Sequence, residues 1–301
     1  MIKNEEQISS FIPAEAQQLV EQTSLDLVRQ IQCEAIATPL CDRAIKTTYA
    51  RQGNGGQPIL LLHGFDSSLL EFRRLLPLLA ADNETWAVDL LGFGFTERPP
   101  GLSFGTEAIK THLYSFWKTR VRHPVILVGA SMGGATALDF TLTYPEAVSR
   151  LVLLDSAGLA NPPLSSKLMF PPLDTLATEF LRNPRIRQQI ARAAYYDKGL
   201  ASPDARLCAA LHLNLPRWNR ALASFTKSGG YGSFASQLSQ IQQPALIIWG
   251  KNDKILGTKA AKQFEGAIAN SRLVWIEQCG HVPHLEKPRE TARAILKFGN
   301  R

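Results

Sequence analysis

Short, mainly apolar runs alternate with segments of helical periodicity along most of this chain, and this alternation limits its fold more than any other feature. Runs of four to six such residues are too short for helices and suit strands that are buried on both faces of a sheet. They lie at 59–62, 85–90, 125–128, 151–154, 245–249 and 273–276. Helical patterns between the runs predict parallel pairing through right-handed crossovers. We therefore expect an α/β fold with a mostly parallel sheet.

The helical patterns carry apolar residues at intervals of three or four. They predict helices at 9–31, 67–81, 106–121, 135–144, 258–269 and 289–298. Pro13 is acceptable in the first turn of the N-terminal helix. Alternating residues between 31 and 51 predict an antiparallel strand pair, which a glycine-rich turn at 53–56 closes.

The alternation of strand and helix stops between residues 157 and 241. This segment shows several helical patterns broken by prolines and contains no convincing strand. We interpret it as an inserted helical cap, with residues 1–156 and 242–301 forming the α/β core. Aromatic residues of the segment are candidates for the lining of a substrate pocket: Phe170, Trp218 and Phe225, with Tyr195 and Tyr196 beside them.

The positive charge of the chain is concentrated in the same segment. The formal net charge is +7, and residues 157–240 hold ten basic and four acidic residues. A basic, solvated helical surface is the simpler interpretation. Contact with an anionic membrane surface or an acidic substrate is the functional alternative. Nucleic acid is not an expected partner, because no binding motif accompanies the charge.

Composition and cysteine spacing narrow the class of protein further. A hydrophobic content of 45% and a charged content of 20% are typical of a globular protein. No apolar run approaches the roughly 20 residues of a membrane-spanning helix, and the first residues contain no apolar signal segment. Four cysteines without paired spacing favour reduced thiols and therefore a cytoplasmic location. Peripheral contact with a membrane is a separate hypothesis that rests on the basic segment. The oligomeric state stays open.

The stretch PVILVGASMGG, residues 124–134, carries the clearest chemical signal. It predicts a strand, a sharp turn at Ser131 and a helix. Strained backbone angles at Ser131 would crowd the residues two before and two after it, and both of these are glycine, Gly129 and Gly133. The turn would expose the Ser131 hydroxyl, and the N–H of Met132 would point at an oxyanion formed there.

A serine becomes a nucleophile at neutral pH only when a base takes its proton and an acid orients that base. Asp253 and His281 follow predicted strands, so they should lie with Ser131 at the carboxyl edge of the sheet. Asp155, at the end of the preceding strand, is an alternative acid. His284 is an alternative base, although the position of His281 directly after Gly280 fits better.

The chain resembles α/β-hydrolase fold enzymes from end to end. The segments that carry the resemblance are LLLHGFDSS, DLLGFGFTERP, LVGASMGGATAL, LIIWGKNDKI and QCGHVPHLEKP, in the family's order. The first segment and the cap are similar to uncharacterised hydrolases of photosynthetic organisms. The resemblance implies an eight-stranded, mostly parallel sheet with helices on both faces and an α-helical cap.

The resemblance also implies the roles of individual residues. Ser131 would be the nucleophile, His281 the general base and acid, and Asp253 the carboxylate that orients the histidine. The backbone N–H of Phe65 would join that of Met132 as the second oxyanion donor. His63 would brace its loop. Relatives that attack with an aspartate are excluded, because a serine stands at that position.

These roles lead us to expect a serine hydrolase that cleaves a carboxylic ester with an apolar moiety through an acyl-enzyme. No metal-binding constellation or dinucleotide fingerprint is visible, so we expect neither a cofactor nor a metal. Hydrolysis of a carbon–carbon bond is an alternative, since SMGGATAL resembles the elbow of meta-cleavage-product hydrolases, although Val282 replaces their aromatic residue after the histidine. A binding protein with slow turnover is the third hypothesis.

Overall fold

The structure is a computed structural model that describes residues 8–160 and 173–300, with side chains in the second range from residue 178 onward. Within these residues, one sheet has the strand order β1-β2-β4-β3-β5-β6-β7-β8. The strands are β1 (Gln32–Ile36), β2 (Ile45–Gln52), β3 (Ile59–Leu62), β4 (Thr85–Val88), β5 (Val125–Ala130), β6 (Val148–Leu154), β7 (Ala245–Gly250) and β8 (Ser271–Ile276).

Only one end of the sheet is antiparallel. Strand β2 pairs antiparallel with both β1 and β4, and every other neighbouring pair is parallel. The prediction of an eight-stranded, mostly parallel sheet is therefore confirmed, and so is the antiparallel pair between residues 31 and 51. The carboxyl ends of β3, β5, β6, β7 and β8 meet at one edge, where ligands of such sheets bind.

Helices cover both faces of this sheet. In β3, Leu60 and Leu62 belong to one buried cluster while Ile59 and Leu61 belong to the other, as the two-residue period of a strand requires. The α-helices of the described residues are α1 (Gln22–Gln30), α2 (Leu76–Leu79), α3 (Thr106–Phe116), α4 (Met132–Thr143), α5 (Leu173–Arg182), α6 (Pro184–Ala194), α7 (Pro203–Cys208), α8 (Trp218–Lys227), α9 (Lys259–Ala267), α10 (Pro283–Glu286) and α11 (Pro288–Gly299).

The prediction of one helix over residues 9–31 is wrong. A 3-10 turn at Ala14–Gln18 and helix α1 are separated by extended backbone at Leu19 and Glu21. The N–H groups of Val20 and Glu21 donate to Asp204 Oδ1, at 2.7 Å and 3.0 Å. A side chain from α7 thus satisfies backbone donors that a continuous helix would have used.

The helix predicted at 67–81 is also broken, into a 3-10 turn at Leu69–Phe72 and the short helix α2. Pro77 lies in the first turn of α2. A proline has no N–H to donate to the preceding turn, and its ring collides with the carbonyl four residues earlier. Proline is therefore tolerated only where a new helix begins, and the chain restarts its helix there.

Between β6 and β7, the described residues form helices α5 to α8 and short 3-10 turns and contain no strand. We continue to propose residues 157–241 as the cap. No helix among the described residues combines the length and the apolar character that crossing a bilayer requires.

Candidate active site

The turn between β5 and α4 has the strained geometry that its glycines predict. Ser131 has φ 51° and ψ −117°, a region that side-chain-bearing residues rarely adopt. A Cβ atom on Gly129 would lie 2.2 Å from the carbonyl oxygen of Gly133, and one on Gly133 would lie 2.0 Å from that of Leu62. The crowding inferred from the two glycines is confirmed.

Hydrogen bonds to the end of β6 hold this strained turn in place. The N–H of Ser131 donates to the carbonyl oxygen of Leu154 at 3.0 Å, and its own carbonyl oxygen accepts from the N–H groups of Gly134 and Ala157, both at 3.0 Å. Both backbone polar groups of Ser131 are therefore satisfied despite the strained angles. Its side chain borders a cavity at the carboxyl edge of the sheet.

His281 and Asp253 form a hydrogen-bonded pair beside the same cavity. Nδ1 of His281 lies 3.0 Å from Oδ2 of Asp253. Because a carboxylate only accepts, Nδ1 carries the proton and Nε2 is the free base. The N–H groups of Ile255 and Leu256 donate to Oδ1 of Asp253, at 2.7 Å and 3.2 Å.

The electrostatics of the pair favour a charged Asp253. Burial raises the pKa of this carboxyl, but the hydrogen bond and charge of His281 and the two amide donors outweigh burial and hold the pKa below its ordinary value. Among the described residues, no hydrogen bond joins Ser131 Oγ to His281. Such bonds often tighten only when substrate binds.

Asp155 is the alternative acid, and its surroundings differ from those of Asp253. Its side chain is fully buried. Burial, followed by the negative charge of Asp253, raises the pKa of Asp155 well above its ordinary value. Oδ1 accepts from the N–H of Gly250 at 3.0 Å, whereas no hydrogen-bond donor within the described residues reaches Oδ2. Burial and the charge of Asp253 thus both favour the protonated form of Asp155.

Atoms of Asp155, Asp253 and His281 lie within 4.8 Å of one another. This separation is short enough for the three groups to ligate a small cation together, whereas a shared proton needs a donor and an acceptor within about 3 Å. The hydrogen bond between His281 and Asp253 and the raised pKa of Asp155 disfavour such a cation, because a metal site needs deprotonated ligands with free lone pairs.

His284, the alternative base, faces away from the cavity and is almost fully buried. Its Nε2 donates to Oε1 of Glu71 at 2.9 Å, while Oε2 of Glu71 accepts from the N–H of Gly64 at 2.8 Å. His284 therefore supports the loop between β3 and the following 3-10 turn. His63 braces the same loop, with Nδ1 donating to the carbonyl oxygen of Gly64 at 2.8 Å and Nε2 accepting from the N–H of Leu90 at 3.1 Å.

Phe65 and Met132, whose N–H groups are the predicted oxyanion donors, border a cavity together with Ser131. No hydrogen bond within the described residues uses the N–H of Phe65 or that of Met132, and Met132 begins helix α4. Unused N–H groups at a helix N-terminus favour negative charge. Their position is compatible with an oxyanion beside Ser131.

Two cavities meet at Ser131. The histidine-side cavity, of about 300 Å³, is bordered by Phe65, Ser131 and His281, with apolar walls from Leu181 and Ile190. The elbow-side cavity, of about 590 Å³, is bordered by Phe65, Ser131 and Met132, with Phe225 and Tyr231 beyond them. Both walls are mainly apolar, as expected of cavities that bind small molecules.

The three aromatic pocket candidates have different positions. Phe225 borders the elbow-side cavity and packs 6.0 Å from the ring of Phe65. Trp218 borders neither cavity; it is buried, and its indole N–H donates to Asp66. Phe170 lies outside the described residues. Tyr195 borders the histidine-side cavity.

Asp66, which the sequence reasoning missed, connects this loop to the segment between β6 and β7. Trp218 Nε1 donates to its Oδ1 at 2.8 Å, and His212 Nε2 does so at 3.1 Å. Arg187 Nη1 donates to Oδ2 at 2.9 Å. Burial raises the pKa of Asp66, but His212, Arg187 and Trp218 outweigh it and keep the pKa below its ordinary value. The only sequence signal for this contact was the acidic residue directly after Phe65.

Comparison with known proteins agrees with this architecture. A model of the alpha/beta hydrolase fold family matches residues 57–288. The alpha/beta hydrolase domain-containing protein VTE7 of Arabidopsis thaliana is 34% identical over 81% of this chain and 74% of VTE7. The 2-hydroxy-6-oxo-2,4-heptadienoate hydrolase of Pseudomonas putida is 27% identical over 81% of this chain and 89% of that enzyme.

Lipase 1 of Psychrobacter immobilis is 27% identical over 84% of this chain and 80% of the lipase. The names of the last two relatives describe different hydrolases, one acting on a dienoate and the other a lipase. The family match covers most of the sheet, the elbow and the histidine loop. The chain belongs to the α/β hydrolase family.

Proposed function

We propose that this hydrolase cleaves a carboxylic ester through an acyl-enzyme, with Ser131 as nucleophile. One observation carries the proposal: the strained Ser131 borders both apolar cavities, one of which is also bordered by His281, the partner of Asp253, and the other by Phe65 and Met132, whose N–H groups are unused. This arrangement supplies a nucleophile, a base, an orienting carboxylate and an oxyanion site.

The proposed reaction assigns a defined role to each of these residues. Nε2 of His281 takes the Ser131 proton as Oγ bonds to the ester carbon, and the carbonyl oxygen becomes an oxyanion facing the two N–H groups. The imidazolium then gives that proton to the leaving alcohol, and the C–O bond breaks to leave an acyl-serine. Water repeats the sequence, releasing the carboxylic acid and restoring Ser131.

The two cavities fit the two halves of such an ester. The leaving oxygen must be close to His281 to receive its proton, so we assign the alcohol group to the histidine-side cavity. The acyl group then occupies the elbow-side cavity, beside Phe225 and Tyr231. The apolar walls support a substrate that is apolar on both sides of its carbonyl.

Replacement of the nucleophile tests the proposal. We expect Ser131→Ala to lower kcat for a short p-nitrophenyl ester by about a thousandfold or more, because no other group can form the acyl-enzyme. Ser239 is an exposed serine in a 3-10 turn. Ser239→Ala is therefore the matched control and should keep full activity. Turnover by Ser131→Ala near the control rate would overturn the assignment.

Hydrolysis of a carbon–carbon bond is the second candidate. The heptadienoate hydrolase of Pseudomonas putida supports it by its similarity to most of this chain. Val282 follows His281 and borders the histidine-side cavity. It stands where the resemblance to meta-cleavage-product hydrolases implies an aromatic residue, and this departure counts against the second candidate. Loss of a dienoate's visible absorbance at a rate above ester hydrolysis would favour this candidate.

We further propose that the basic cap, residues 157–241, brings the enzyme to an anionic membrane surface that holds an apolar ester. The positive charge of this segment supports the proposal, since such segments are attracted to anionic lipids.

A further inference from the structure

Exposed apolar side chains are concentrated around the two cavities. Seven large hydrophobic side chains are exposed within the described residues, and four of them border a cavity at Ser131: Phe65, Ile190, Ile255 and Leu256. Phe180 is 59% exposed and precedes Leu181, which borders the histidine-side cavity. We call these five residues the mouth rim. Apolar surface grouped in this way marks an interaction site.

Exposed basic side chains lie close in sequence to the mouth rim, both on α6 and beyond β7. On helix α6, Arg185 and Arg192 are exposed five and two positions from Ile190; beyond β7, Lys254 in the loop and Lys259 at the start of α9 flank Ile255 and Leu256. Within the described residues, none of these four cations forms a salt bridge, whereas the neighbouring Glu179 pairs with Arg182. These four positive charges are therefore unpaired within the described residues.

We propose that the mouth rim docks onto an anionic lipid bilayer and opens the cavities at Ser131 towards the lipid. Apolar side chains enter the headgroup and acyl boundary, and the surrounding lysines and arginines attract anionic headgroups. The surface includes the loop after β7 as well as the cap. This inference rests on the proposed function, because it takes the two cavities as the substrate site.

Vesicle binding gives the first test. We expect the protein to co-sediment with vesicles of phosphatidylcholine and phosphatidylglycerol in equal parts, and much less with phosphatidylcholine alone or at high salt. Phe180→Ser and the double variant Arg185→Gln with Lys254→Gln should each weaken binding by about fivefold or more. None of these three residues borders a cavity.

Matched controls come from the rest of the surface. Val20 is 81% exposed and borders neither cavity, so Val20→Ser should bind as the parent does. Lys118 and Arg122 are exposed near the start of β5, at the edge of the sheet opposite Ser131. Lys118→Gln with Arg122→Gln removes the same charge and should leave binding unchanged.

Hydrolysis of a monomeric, water-soluble ester separates the two proposals. The rim variants should keep the parent kcat on this substrate, which also shows that they fold. The docking surface would be overturned if the parent did not bind vesicles, if Phe180→Ser, the Arg185/Lys254 variant and the control variants lost binding equally, or if binding did not depend on anionic lipid. The proposed ester hydrolysis would be unaffected by these results. Normal vesicle binding without hydrolysis would overturn the proposed function alone.

Discussion

At the scale of single residues, two carboxyl groups lie close to His281 and differ in how readily they ionise. Asp253 accepts three hydrogen bonds and keeps a pKa below its ordinary value. Asp155 has one donor and a raised pKa, because burial and the charge of Asp253 oppose its ionisation. Two adjacent buried carboxyls cannot both carry charge at little cost.

Substitution by asparagine distinguishes the two carboxyls. Asp253→Asn should lower kcat by about a thousandfold to ten-thousandfold, since the amide can no longer hold Nδ1–H of His281. Asp155→Asn should lower kcat by less than about tenfold, because its amide still accepts from Gly250 and donates towards Asp253. Steady-state rates corrected by active-site titration measure both. The opposite order would make Asp155 the orienting acid.

Glu71 is expected to make the free energy of unfolding decrease at low pH. Burial raises its pKa, but the hydrogen bond and charge of His284 and the N–H of Gly64 outweigh burial and bring the pKa to about 2 from 4.5. The unfolded chain therefore takes up this proton first as the pH falls. Glu71 should contribute about 3 kcal/mol above pH 5, lost progressively as the pH falls towards 2.

Urea unfolding of Glu71→Gln between pH 6 and 2 measures this contribution. The variant should be less stable than the parent near neutral pH, and the difference should shrink as the pH falls through the window from about 5 to about 2. A difference that stays constant with pH would show that Glu71 does not supply this part of the acid sensitivity.

At the scale of elements, the strands could be predicted and several helices could not. A run such as 59–62 has few ways to bury four apolar side chains, and β3 has those bounds. Helix periodicity does not reveal where distant side chains compete for backbone donors. Asp204 bonds Val20 across 184 positions of the chain, and no local pattern contains that contact.

The contact between α8 and the loop after β3 gives a prediction at this scale. Trp218→Phe removes the donor to Asp66 and should lower the free energy of unfolding by about 1–3 kcal/mol, because the partner is a buried charge. It should also lower kcat for a short ester several-fold, since Asp66 directly follows the Phe65 N–H.

Trp86→Phe is the matched control for this prediction. Trp86 is buried in the sheet, and its indole N–H has no hydrogen-bond partner in the described residues. It should lose stability through packing alone and keep the parent kcat per titrated site. Equal kcat in the two variants would show that the Asp66 contact does not position the loop.

At the scale of the whole molecule, residues far apart in sequence meet at one edge of the sheet. The order of the strands and the glycines on either side of Ser131 predict that Ser131, Asp253 and His281 lie at the same edge of the sheet. In the structure, Ser131 and His281 border one cavity and His281 is bonded to Asp253. Asp66 contacts Arg187 and Trp218, which lie 121 and 152 positions further along the chain. These contacts were not predictable, because they depend on how α6 and α8 pack. The substrate depends on the same packing.

Narrowing each cavity in turn tests our assignment of the two halves of the ester. Ile190→Trp should lower kcat/KM for long-alcohol esters by about tenfold and leave long-acyl esters less affected. Leu159→Trp, on the elbow side, should do the reverse. A series of esters with the alcohol and the acyl chain varied separately measures this preference, and identical profiles would contradict the assignment.

The central claim is that Ser131 is a nucleophile activated by His281, and covalent labelling tests it most directly. A fluorophosphonate probe followed by peptide mass spectrometry should find one adduct, on Ser131, absent in Ser131→Ala. Labelling should be about a hundredfold slower in His281→Gln, because the base is lost. No adduct, an adduct on another serine, or unchanged labelling of His281→Gln would contradict the account.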